Sequence, residues 1–296
     1  MAPLLILAVP AFLVVTTIVI IRLIVTLSRT QGVLPPTDES RRASRWSASA
    51  LAISFGVAIL ATTWVFATDR LGRGVLLAGP VFLTVLQLGV LATTVIIGTA
   101  VRSNSGTRVA SLGTRRAYDS APRLLATMTG AGAVLAVTIG VIACRTASVD
   151  SGSGEFRAFE YTTAEGSRST YSPFAGAFYS GPLVLTLMTS VVIAALTLVG
   201  AQRWGALDQP GADRALRMSI STRAVAATAM ITSLLLVILG LSLSQAAFRV
   251  ASAPDDSGWW AIGRVCFPAA VLAGALLGTW ALVAFLLPTL GRRGAA

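Results

Sequence analysis

The chain has 296 residues, 55% of them hydrophobic, and a mean hydropathy of +0.78. A soluble domain has nowhere to bury that much apolar surface, which excludes a soluble globular fold and indicates an integral membrane protein. The formal net charge is +11, all 23 basic residues are Arg and there is no His. Without Lys there is no retinal Schiff base, and without His no imidazole for haem, zinc or a Ser-His pair.

Seven apolar stretches are predicted as membrane helices: 4–27, 48–67, 75–101, 124–143, 181–200, 224–247 and 265–287. Each is close to the ~20 residues that cross ~30 Å of hydrocarbon. The expected fold is therefore all-α, a polytopic seven-transmembrane-helix bundle forming one integral membrane domain over 1–296.

The first stretch, 4–27, has no basic residue before it, and its charges follow at Arg22 and Arg29. That is the reverse of a cleaved signal peptide, so it is read as a retained helix with its N-terminus outside. The second stretch carries Ala48, Ala52 and Gly56, small residues four apart that permit close backbone approach. Trp46 and Trp64 bracket it at the two interfaces. The third contains Gln87, the one strongly polar side chain expected near mid-membrane. Two readings of Gln87 stand, a helix-to-helix hydrogen bond and part of an intramembrane polar site. The fourth has the stripe Gly132, Ala136 and Gly140 and ends at Cys144.

An aromatic loop follows, 145–179, in which "FRAFEYTT" alternates large apolar with polar residues and is expected to form a short strand or hairpin. At this length it cannot bury a core of its own, so it is expected to lie over the helix ends. The seventh stretch carries Ala270, Gly274 and Gly278 and begins beside Cys266. If the fourth and seventh helices pack through their small-residue faces, Cys144 and Cys266 lie at one depth and can form a disulfide; otherwise each fills a helix surface.

Four prolines, Pro10, Pro80, Pro182 and Pro268, recur near one end of alternate helices. They suggest an internal repeat of helix, basic loop and helix, although proline is also simply favoured in the first turn of any helix. The arginines sort by side. Sixteen fall on the side of Arg41, Arg42, Arg45, Arg115, Arg116, Arg214 and Arg217, against five acids, and seven fall opposite, against seven acids. By the positive-inside rule the basic side and the C-terminus are cytoplasmic.

All-Arg usage with abundant Ala, Gly and Val suits a GC-rich bacterial genome, placing the protein in the inner (plasma) membrane. The expected partners are anionic headgroups at the basic face and a separate protein; no folded basic surface suits nucleic acid. No motif for a cofactor, a metal or a catalytic group is present. The favoured function is a non-enzymatic membrane subunit or scaffold. The alternative is a transporter or permease component for a small or apolar substrate, and a lipid-modifying enzyme ranks third.

Overall fold

In a computed structural model the structure describes residues 38–103, 122–163, 165–203, 210–250 and 258–288. Six helices are found among them: α1 (Asp38–Ala67), α2 (Arg73–Ser103), α3 (Arg123–Thr146), α4 (Ala177–Arg203), α5 (Pro210–Val250) and α6 (Gly258–Leu286). All six are long and apolar enough to cross a membrane. The chain is thus a multi-pass helical membrane protein, and the expected seven-helix bundle is corrected to six spans among the described residues. The stretch 4–27 lies outside them.

The spanning elements are all helices, and the expected strand lies in the loop between two of them. Between α3 and α4 the strands β1 (Ser148–Val149), β2 (Phe156–Thr162) and β3 (Arg168–Tyr171) form an antiparallel sheet in the order β1-β2-β3. The strand expected at "FRAFEYTT" is β2, paired with β3 from Phe159↔Tyr171 to Thr162↔Arg168. Phe159 sits at its centre, with its ring 5.3 Å from both Phe174 and Trp260. The sheet therefore forms a cap whose apolar side rests on the bundle. Its polar ties are Ala175 N donating to Ser242 Oγ at 2.9 Å and the Tyr171 hydroxyl donating to Gln245 Oε1.

Helix α5 is the axis of the molecule. Of its most apolar window 72% is buried, against 17% for α1, because α2, α3, α4 and α6 all pack on it. It is also longer than its apolar run. The sequence predicts a start at 224, whereas the helix begins at Pro210. The added turns are polar in composition, but Asp213 and Arg217, one turn apart, cancel each other's charge with Nε···Oδ2 at 2.8 Å.

Glycines set the closest crossings. A Cβ on Gly274 would stand 2.9 Å from the Leu236 side chain, and one on Gly240 would stand 2.8 Å from Val271, so α5 and α6 meet nearly backbone to backbone. Gly132 of α3 fits between the side chains of Thr232 of α5 and Leu277 of α6, and Gly140 fits against Val184 of α4 and Leu239 of α5. The small-residue stripes on α3 and α6 do mark packing faces, but they do not pair mainly with each other: the α6 stripe packs on α5, and the α3 stripe is shared among α4, α5 and α6. The stripe on α1 does not: Ala52 and Gly56 are exposed. The face α1 buries against α2 is Ser47, Ala50, Leu51 and Ala58, with Ser54 set against Gly89.

Outward-pointing Ile53, Leu60, Leu185, Leu272 and Leu276 form an apolar exterior suited to lipid. Of the expected repeat units, α4 and α5 pack side by side. Helices α2 and α3, the other described pair, find their main neighbours elsewhere, α2 on α1, α4 and α5, and α3 on α4 and α5.

Candidate functional site

Gln87 lies half-way along α2, fully buried where α2, α4 and α5 meet. Its Nε2 lies 3.0 Å from the Ser190 carbonyl, 3.1 Å from the Ala224 carbonyl and 2.9 Å from Thr228 Oγ1. The Ser190 hydroxyl donates to Gln87 Oε1 at 2.7 Å. Three helices are thereby joined by one amide, and each of its polar atoms has a partner. Of the two readings of Gln87, the geometry is that of an interhelical tie.

Many of the other hydroxyls are spent locally, since Thr84, Thr93, Thr138, Thr186, Thr189 and Thr232 each donate to the carbonyl four residues earlier on their own helix, while Ser233 donates across to the Gly274 carbonyl of α6 at 2.7 Å. Such a bond satisfies a hydroxyl in a dry interior without offering it to a ligand. Among the described residues no group of three or more His, Cys, Asp or Glu could hold a metal ion.

The arginines at the bundle end opposite the sheet divide into two kinds. Arg42, Arg45 and Arg214 are exposed. Arg217, expected on the same basic face, is instead buried: it pairs with Asp213 and donates through NH1 to the Ala201 carbonyl, tying α5 to the end of α4. Arg223, expected in the loop ahead of its span, is buried inside the bundle, and its Nε has no hydrogen-bond partner. Hydropathy hid both positions, because a run containing four arginines reads as a loop. The signal that could have revealed them was the i, i+4 spacing of Asp213 and Arg217, which argues for a continuing helix. Of Arg41 only the helical backbone is described, and Arg115 and Arg116 lie outside the described residues.

At the sheet end, Arg73, Glu155, Phe156, Ala177, Phe178 and Pro182 line an open groove of about 290 Å³. The Arg73 guanidinium stands 5.3 Å from the centre of the Phe178 ring, and Phe156 is largely exposed. A cation, a carboxylate and two aromatic rings thus share one concave surface, an arrangement suited to an amphipathic protein segment. Turn chemistry positions it. Leu71 and Gly72 both have positive φ, Asp69 Oδ1 accepts from Gly74 N at 2.5 Å to start α2, and Tyr179 OH donates to the Leu71 carbonyl at 2.5 Å.

The two cysteines are not brought together. Cys144 is half-buried with its Sγ 3.0 Å from Ser180 Oγ, Cys266 is exposed, and both are free thiols. The pairing required the Cys144 and Cys266 ends of α3 and α6 to meet, but Cys144 lies against Ser180 of α4, while the α6 stripe packs on α5. Comparison with known proteins finds no match: no family model, no curated protein and no solved structure is similar to this chain.

Proposed function

We propose that this protein is a non-enzymatic membrane subunit or scaffold that works with a separate protein partner. The observation that carries this reading is the saturated hydrogen bonding of the Gln87 cluster, in which the polar centre of the bundle is consumed in joining α2, α4 and α5. A transporter would keep such groups for its substrate and coupling ion. The partner surface is the groove at the sheet end, where Phe156 and the Arg73–Phe178 pair stand beside Glu155. The protein sits in the inner membrane of a bacterial cell with its sheet outside, its N-terminus outside and its C-terminus in the cytoplasm. The excess of arginine at the other end supports this orientation, and that end rests on anionic headgroups.

Site-specific photocrosslinking in cells tests the reading. A benzophenone amino acid at Phe156 is expected to give one discrete protein adduct, whereas the same group at outward-facing Leu276 of α6 gives lipid adducts only. Solute movement by the purified, reconstituted protein, together with no adduct at Phe156, would sink the proposal and favour a permease component.

A further inference from the structure

Arginine in a dry interior is an electrostatic problem that lysine is not. A buried lysine can shed its proton, whereas a guanidinium stays charged and needs a counter-charge. The buried polar layer of α5 contains Asp213, Arg217, Ser221, Thr222 and Arg223. This layer thus holds one carboxylate and two guanidiniums, and Asp213 is already paired with Arg217. Arg223 is the excess charge. It is 8% exposed, its Nε has no hydrogen-bond partner, and no ion pair joins it to a carboxylate among the described residues. Six residues separate it from Arg217, about 9 Å along the helix axis toward the interior. Its chain neighbour Ala224 is the residue whose carbonyl accepts from Gln87. The side chain therefore starts beside the polar centre and is long enough to reach toward the basic end.

We infer that Arg223 is the core of a phosphate-binding site within the basic end of the bundle, taking either the headgroup phosphate of an anionic lipid or a free phosphate ion. Phosphate matches what is on the page. It is an anion that presents several acceptor oxygens to a planar fork of donors, and the surrounding excess of arginine draws anions to this end. Lipid can supply it because anionic headgroups gather at an arginine-rich boundary, toward which a long side chain can extend. The inference does not rest on the scaffold reading; a permease component would carry the same uncompensated charge.

Thermal unfolding of the full chain in a neutral detergent provides the test. Phosphatidylglycerol and phosphatidylcholine are added in one arm, and inorganic phosphate and chloride at equal ionic strength in the other. The wild-type protein is expected to melt higher with phosphatidylglycerol than with phosphatidylcholine if lipid supplies the phosphate. If the source is the free ion, it melts higher with inorganic phosphate than with chloride. Arg223→Gln is expected to abolish the response, while Arg214→Gln, at an exposed position, retains it. Arg223→Lys loses the fork and, where buried, can shed its proton, so it is expected to raise the half-saturating concentration about ten-fold; it serves as the reporter if Arg223→Gln does not fold. A wild-type protein indifferent to both phosphate sources overturns the site, as does an unaltered response in Arg223→Gln or in Arg223→Lys.

Discussion

Single side chains at helix junctions decide which groups are structural. Gln87→Leu leaves the Ser190 and Thr228 hydroxyls and the Ala224 carbonyl with fewer partners inside the bundle, at a cost of about 1–3 kcal/mol. Denaturation in mixed micelles should show that loss while the photocrosslink at Phe156 survives; unchanged stability would mean the cluster is not a tie. Tyr171, in β3 beyond the spans, tells a different story. Burial raises its pKa above the ordinary 10.0, and the positive charge of Arg249, 4.4 Å from the ring centre, opposes that rise. Because the folded value exceeds the unfolded one, the contribution is fully present below pH 10 and declines as pH rises through the folded value. The cap is therefore expected to loosen above about pH 10, and Tyr171→Phe should remove that part of the alkaline transition. Proteolysis of the cap at graded alkaline pH, compared between wild type and variant, checks this.

Packing between elements is governed by where glycine permits backbone approach. Alanine at Gly274 would press on the Leu236 side chain and the Ser233 carbonyl, both parts of the rigid axis helix. Gly274→Ala is thus expected to destabilise by about 1–3 kcal/mol, whereas Gly56→Ala stays within about 1 kcal/mol because nothing lies within reach of its new Cβ. Parallel thermal melts separate the two; equal losses would mean that the exposed stripe on α1 is occupied in the native protein. A small-residue stripe on its own shows that close approach is allowed. It does not name the partner, and for that reason the stripes on α3 and α6 pointed to each other in the sequence, whereas in the structure α6 packs its stripe on α5 and α3 shares its own among α4, α5 and α6.

For the molecule as a whole, two outcomes follow. In a cysteine-free background, a Cys in place of Ser151, an exposed position in the sheet-end cap, should react with an impermeant maleimide in intact cells. Labelling only after lysis would reverse the proposed orientation. The unreduced, denatured wild-type protein should take up two alkyl groups, one at each free thiol; a protein that resists alkylation until reduced would show that Cys144 and Cys266 do bond.

Sequence alone determined that the chain is apolar beyond what water tolerates, and it located the described spans to within a few residues, except the starts of α1, α5 and α6, which lie earlier, at Asp38, Pro210 and Gly258. Both follow from composition and length, which act locally and need no knowledge of neighbours. It also indicated the strand in the 145–179 segment, because alternation has a period of two whatever lies beneath it. Tertiary structure decided which helix is central, and hence everything that depends on enclosure. Arg217 and Arg223 are basic loop residues by hydropathy, and they become buried cations only because four helices surround α5. Gln87 is a lone amide in the sequence and becomes a saturated junction only when Ser190 and Thr228, more than a hundred residues away, arrive beside it. Burial and hydrogen-bond satisfaction are properties of neighbours, and a membrane interior, being equally apolar beside every helix, gives the sequence little with which to name them.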